Sequence, residues 1–333
     1  MRSFAYVVPD SVAGAVDALA AAEPGTKLLA GGTTLYDLMK LGIEAPPAVI
    51  DIHRLAELTA ISTGEDELSF GAGARMAEVA DHPVVRRDYP ALSESLWRAA
   101  SPQLRNMATV GGNLLQRTRC GYFRGGAEFP CNKRNPGSGC AALEGLDRTH
   151  ALLGAGDTCI ATYPGDWAVA LIAFDAELDV IGPAGERTLP VGELHVEPGD
   201  NPMLEHTLAA DELILRIRVP ATSAGRGSTY HKIRDRESYA FALTSAATAV
   251  TLDAQGMVTD CRIGLGGVAT RPWRATAAER SLIGEQLTPE TARHAGEVAF
   301  ADVRPLRTGA FRVELGIRTL TDALLTAGKR AAR

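Results

Sequence analysis

Four of the five cysteines, Cys120, Cys131, Cys140 and Cys159, fall in one stretch, with ten, eight and eighteen residues between successive members. Thiolates at such positions are ligands for zinc or for iron–sulfur clusters. Structural zinc sites usually contain a pair of cysteines two to four residues apart, and this chain has none in that range. Wide spacing in open loops suits a cubane [4Fe–4S] cluster, which takes one thiolate at each iron. Reduced buried thiols and a four-cysteine zinc site are the alternatives that spacing leaves open. A tetrathiolate cluster is anionic, and residues 117–134 hold Arg117, Arg119, Arg124, Lys133 and Arg134 against Glu128, a local 5 − 1 = +4. The backbone around Gly137 and Gly139 is a candidate source of N–H donors to cluster sulfurs. The same basic run also reads as a solvated face or a docking patch. Cys261, in the strand-like run Asp260-Cys261-Arg262-Ile263-Gly264-Leu265, reads as a core residue.

Two glycine steps are the second source of chemistry. Thr26 to Leu35 places Gly31-Gly32 between a strand and a helix start, where unpaired backbone N–H groups favour an anion such as a pyrophosphate. The step lacks the Gly-Lys-Ser/Thr ending of a Walker loop and is not G-x-G-x-x-G. Ala108-Thr109-Val110-Gly111-Gly112-Asn113 repeats the glycine pair, with Thr109 and Asn113 as extra side-chain partners. Together the loops can close on a dinucleotide from two sides; singly, each reads equally as a tight turn.

The elements that must position these loops are short and mixed. Ser11 caps a helix reaching about residue 22 and stopped by Pro24-Gly25. Strands are predicted at 1–8, 26–30, 47–52, 68–74, 150–154, 159–163, 176–181 and 213–219, with helices at 35–41, 90–100 and 166–174. The glycine- and proline-rich stretch from Gln116 to about Asp147 has no sustained period, and a structureless loop of that length in a compact domain calls for a function. Residues 220–227, rich in Ala, Ser and Gly, read as a linker. Strand-like runs at 229–234, 241–252 and 257–268 follow, then helical pattern from Trp273 onward, which together indicate an α+β unit.

Composition sets the limits. At 333 residues, with 46% hydrophobic and 22% charged, the chain has room for two domains with real cores, which excludes disordered, collagenous and coiled-coil classes. A net charge of 34 − 40 = −6 offers no general field for nucleic acid or an anionic membrane. No uninterrupted apolar run approaches about 18 residues, so membrane insertion is not expected. The opening Met1 to Val8 is cut short by Pro9-Asp10 and reads as a strand, not an export signal.

On these motifs the chain resembles, over nearly its full length, the FAD-binding medium subunits of the molybdenum hydroxylases, the group of xanthine dehydrogenase and carbon monoxide dehydrogenase. The strongest stretch is Gln116-Arg117-Thr118-Arg119-Cys120, then Cys131-Asn132-Lys133-Arg134 and Pro136-Gly137-Ser138-Gly139-Cys140-Ala141-Ala142-Leu143-Glu144-Gly145. It is similar to the insert that binds an extra [4Fe–4S] cluster in the bacterial molybdenum aldehyde oxidoreductases and in 4-hydroxybenzoyl-CoA reductase. The resemblance implies an α+β fold: a two-subdomain FAD-binding domain over 1–222 (about 1–55 and 56–222, with an iron–sulfur insert at about 116–160) and a smaller C-terminal α+β domain over 223–333. It implies FAD contacts from Lys27, Leu28, Leu29, Ala30, Gly31, Gly32, Thr33, Thr34 and Leu35, from Ser101, Thr109, Gly112 and Asn113, and from Asp166, Ile214 and Lys232. The implied cluster ligands are Cys120, Cys131, Cys140 and Cys159. Two departures from close relatives are Thr34, where Asn is usual, and Gly165, where Ser is usual.

The function this implies is that of an FAD- and [4Fe–4S]-containing electron-transfer subunit of a heterotrimeric aldehyde oxidoreductase. Its expected partners are a molybdenum-cofactor large subunit, a [2Fe–2S] small subunit and an external electron acceptor such as ferredoxin or oxygen. No acid–base residue is expected, because the cofactors carry the chemistry. A stand-alone flavin oxidoreductase of the same fold and a zinc-stapled binding module are the rivals. The expected location is cytoplasmic, or periplasmic if a partner carries a twin-Arg signal.

Overall fold

A computed structural model describes residues 1–304 and 306–333. Three sheets organise them. The first is parallel, ordered β1 (Ala5–Val7), β3 (Ala48–Asp51), β2 (Lys27–Leu29). Between β1 and β2 runs the helix Val12–Ala20, capped by Ser11, whose hydroxyl accepts the Gly14 N–H at 3.1 Å. Its Ala15, Val16 and Leu19 pack on Ile50 of β3, as an amphipathic helix beside a parallel sheet should. The second sheet is antiparallel and mixes distant segments: β4 (Ile61–Thr63), β5 (Glu67–Gly71), β8 (Leu213–Pro220), β6 (Glu177–Gly182) and β7 (Gly185–Pro190). The β6–β8 register shifts between Asp179 and Val180, which face Arg216 and Ile214, so Leu215 is the extra residue of a bulge beside Ile214.

The third sheet, ordered β12 (Trp273–Arg274), β11 (Val258–Gly266), β10 (Thr244–Leu252), β9 (Ser228–Ile233), is antiparallel throughout. Helices Thr276–Leu282, Pro289–Ala299 and Phe311–Ala331 build a core with β10 and β11. Helix Trp167–Ala173, buried on all sides, continues the core of the second sheet to Tyr230, Ala247 and Ala249 of β9 and β10. A helix apolar all round is the kind that lies between two layers. Among the described residues no helix is long and apolar enough to cross a membrane.

Several sequence expectations need correction. Segments 150–154 and 159–163 are extended but form no strands. They exchange one bond, Ala151 N–H to Ile160 C=O, and otherwise lean on the chain after β11, with Leu152 and Leu153 donating to Val268 and Tyr163 to Ala269. Gly154, at φ +65°, turns the first segment away before a ladder develops. The linker read at 220–227 is packed and does not hang free: Ala224 is fully buried and the Thr222 N–H donates to Tyr89 Oη at 3.3 Å. The C-terminal helical pattern begins at Thr276, after the short strand β12.

A dinucleotide cleft beside a four-cysteine pocket

The chain leaves β2 through Ala30-Gly31-Gly32-Thr33-Thr34 and enters helix Leu35–Lys40. A Cβ on Gly31 would lie 2.0 Å from the Met107 carbonyl oxygen, so this glycine lets the two glycine loops touch backbone to backbone. Gly32 has φ +71°, a conformation that side chains disfavour. The amides of Gly32, Thr33 and Thr34 donate to no protein acceptor and remain free for an anion. In the second loop Thr109 caps helix Val110–Leu114 by accepting the Gly112 N–H at 3.2 Å. Gly111 donates to Ala72 C=O at 2.9 Å and packs where a Cβ would meet Ala72. Gly112 is exposed toward the cleft, and the Asn113 Oδ1 is buried without a partner. Within each pair, then, the first glycine sits where a Cβ would clash with the chain, and the second lines the cleft.

Both loops line a cleft of about 1290 Å³ whose opposite wall comes from 161–166, 195–214 and 235–241. Of the expected FAD residues, all line it except Ser101 and Lys232. Ser101 stands one step back, accepting the Leu104 N–H at the start of helix Pro102–Arg105, and Leu104 faces the cleft. Lys232, on β9, reaches the cleft only through Asp166: its Nζ donates to Asp166 Oδ2 at 2.8 Å and to Arg98 C=O at 3.0 Å. Tyr230 donates its hydroxyl to Asp166 Oδ1 at 2.6 Å. Burial first, then the Asp166 charge, pushes the Tyr230 hydroxyl well above its usual range, so it stays a donor. Asp166, 4% exposed, thus faces the cleft while gripped by two side chains of the C-terminal sheet. Gly165 also has a reason: a Cβ there would lie 2.3 Å from the Tyr163 hydroxyl, which donates to Leu114 C=O.

Free amides, an orphaned Asn113 oxygen and a long two-sided cleft fit a bound dinucleotide such as FAD. Sequence reasoning missed His195, His206 and the 235–241 loop of this wall, since irregular segments carry no periodic signal. His195 donates Nε2–H to Leu114 C=O at 2.8 Å, and burial holds its pKa down at about 4, so the ring is neutral.

Cys120, Cys131, Cys140 and Cys159 line one small pocket, and Cys261 lies elsewhere, in the core beneath β11. Cys131 and Cys140 face each other across an antiparallel bridge. Burial pushes the Cys120 thiol up to about 11 against the opposing pull of the nearby Phe123 and Tyr122 amides. The Ala161 N–H approaches Cys159 Sγ at 3.5 Å. These donors suit a bound thiolate. Gly139 does not join them, because its N–H goes to Asn132 Oδ1 at 2.8 Å. Among the described residues no three His, Cys, Asp or Glu side chains converge closely enough to share one metal ion. The space in this pocket is about 10 Å³, so an inorganic group would part its lining residues. Phe123, Lys133 and Ala161 line both this pocket and the cleft.

The basic run is not a free positive field. Arg117 pairs with Glu44 at 2.5 Å and with Glu205; Arg119 and Arg124 share Asp37; Lys133 lies 3.2 Å from Glu205. Arg134 donates to the carbonyls of Tyr122, Phe123 and Phe129. Acids from distant sequence neutralise most of the +4, and the docking-patch reading loses its charge.

Residues 2–222 match the model of the FAD-binding domain in molybdopterin dehydrogenase, and residues 228–327 that of the CO dehydrogenase flavoprotein C-terminal domain. The chain belongs to the FAD-binding subunits of the molybdenum hydroxylases. Within this family it is 43% identical, over 99% of its length and 100% of the relative's, to the aldehyde oxidoreductase FAD-binding subunit PaoB of Escherichia coli. It is 28% identical to the carbon monoxide dehydrogenase medium chain of Hydrogenophaga pseudoflava, covering 91% of this chain and 88% of that one. The solved carbon monoxide dehydrogenase from the same organism superposes with a TM-score of 0.78 at 28% identity, covering 99% and 98%. Family membership makes the chain an FAD-binding oxidoreductase subunit of α+β fold.

Proposed function

We propose that this chain is the electron-transfer flavoprotein of a heterotrimeric molybdenum aldehyde oxidoreductase, with FAD in the cleft and a [4Fe–4S] cluster on Cys120, Cys131, Cys140 and Cys159. In this reading a molybdenum-cofactor large subunit oxidises the aldehyde, a [2Fe–2S] small subunit relays the electrons, and this chain delivers them to an external acceptor such as ferredoxin or oxygen. The observation that carries it is the shared wall: a single layer formed by Phe123, Lys133 and Ala161 separates the cysteine pocket from the flavin cleft, a short path for an electron. The likeness to an aldehyde oxidoreductase subunit supports the assembly.

FAD, when bound, supplies the capacity to take electrons singly and release one or two. The protein holds and orients it. Free amides of Gly32, Thr33 and Thr34 bind the pyrophosphate, Asn113 offers a side-chain partner, and Ile214, set by the bulge at Leu215, packs against the cofactor. Asp166, held by Lys232 and Tyr230, offers its remaining lone pairs to a cofactor donor. Four cysteines on one pocket, with no pair two to four residues apart in the sequence, favour a polynuclear cluster over a structural zinc site.

Anaerobic purification with an absorption spectrum and iron, zinc and flavin analysis tests this. Expected are flavin bands over an iron–sulfur background and, for this chain isolated alone, about four iron per FAD. Cys131→Ser loses the iron and Cys261→Ala keeps it. A colourless protein with stoichiometric zinc would support the binding-module rival. An isolated chain that is active without molybdenum or [2Fe–2S] partners would overturn the proposal in favour of a free-standing flavin oxidoreductase.

A further inference from the structure

His150 is a buried group that neither the cofactor cleft nor the four thiol ligands account for. It is 4% exposed, and its Nε2 stands 3.3 Å from Cys120 Sγ. The residue is held from three directions. Its backbone N–H donates to Asp147 C=O at 3.0 Å, and its backbone C=O accepts from the buried Arg312 at 2.6 Å. On the side of the insert it stacks at a tilt on Tyr122, with centroids 6.0 Å apart. Its Nδ1 is buried and has no partner among the described residues. A neutral imidazole carries one N–H, and toward a cluster-bound thiolate, which has no S–H to donate, the tautomer that makes this hydrogen bond has the proton on Nε2.

We propose that His150 is a positioning and tuning residue for the iron–sulfur centre, donating Nε2–H to the Cys120 thiolate and thereby raising the reduction potential of the cluster. The inference rests on the cluster reading above. The physical reason is electrostatic: one-electron reduction adds negative charge that spreads over the ligand sulfurs, and an N–H pointed at a sulfur stabilises the reduced form more than the oxidised form. His150 Nε2 is the side-chain nitrogen at hydrogen-bond distance from this sulfur, and of the other three thiols only Cys159 has a comparable contact among the described residues, from the Ala161 N–H at 3.5 Å. Burial strengthens the effect, because water does not compete for the sulfur or screen the N–H dipole. The balance is simple: one electron enters the cluster, no bond is broken, and the proton stays on Nε2.

The test is an EPR-monitored redox titration of the purified holoprotein in three forms: wild type, His150→Phe, which keeps a ring and removes the donor, and His150→Gln, whose amide can reach a similar point. Iron and flavin are measured on each. His150→Phe should keep its iron and have a more negative cluster potential, with the reduced fraction falling severalfold at the wild-type midpoint. A tenfold change in that ratio would be a shift of about 59 mV for one electron. His150→Gln should recover much of the shift, and the flavin potential should not move. Loss of iron in His150→Phe with retention in His150→Gln would equally support a required donor. An iron-replete His150→Phe with an unchanged potential, or loss of iron from both variants, overturns the inference. Wild-type protein without iron would instead refute the cluster itself, so the two failures are distinguishable.

Discussion

Replacing Lys232 by Met tests the coupling between the C-terminal sheet and the cofactor cleft. Lys232 and Asp166 form a buried pair at 2.8 Å, with side chains 1% and 5% exposed. Met keeps most of the length of lysine and removes the charge. The Arg98 carbonyl keeps a donor, since Arg234 also reaches it at 3.0 Å, so the cost falls on Asp166. A buried charge that loses its partner costs about 3–5 kcal/mol. Lys232→Met should therefore destabilise the chain by about 3–5 kcal/mol at pH 7. Urea denaturation reads the loss, and FAD affinity should fall with it because Asp166 loses its fixed position. Adding Asp166→Asn to Lys232→Met should recover most of the stability. A penalty below about 1 kcal/mol, or a double variant no better than the single one, would refute the reasoning.

Gly31→Ala should reduce FAD occupancy at least tenfold, because its Cβ would meet the Met107 carbonyl at 2.0 Å and push the two loops apart. Gly42→Ala, at φ +71° with nothing within 4 Å, should cost only about 1–2 kcal/mol and leave flavin binding intact; equal losses of flavin would argue against loop contact as the cause. Asp147 gives a pH signature. Burial alone would raise its carboxyl, but the Thr308 hydroxyl and the amides of Arg307 and Thr308 hold it down at about 2. Its folded value lies below the unfolded one, so it contributes about 2 kcal/mol that is complete above about pH 4 and is lost as pH falls toward 2. Asp147→Asn should flatten the stability profile over that window and leave its upper part parallel to wild type, as read by denaturation between pH 2 and 6.

How far the site was legible depended on how local its causes were. Local backbone chemistry revealed the Ser11 cap, the strand-to-helix step at Gly31-Gly32 and the buried helix at 167–173, because their signals lie within a few residues. The spacing of the cysteines grouped the four that line one pocket and set Cys261 apart as a core thiol. What distance in sequence concealed was partnership. Nothing near Arg117 foretells Glu44 and Glu205, 73 and 88 residues away, so a +4 patch in the sequence is a set of ion pairs in the fold. Lys232 shows the same limit: its motif places it beside the flavin, whereas its Nζ is committed to Asp166. His150 had no signal, since only folding brings it 3.3 Å from Cys120. The sequence by itself determined which residue types could bind a dinucleotide and an iron–sulfur group, through glycine's freedom and the thiolate's softness. Tertiary structure alone decided which charges are cancelled and which donor meets which sulfur, because Coulombic and hydrogen-bond energies depend on distances of a few ångströms that only packing sets.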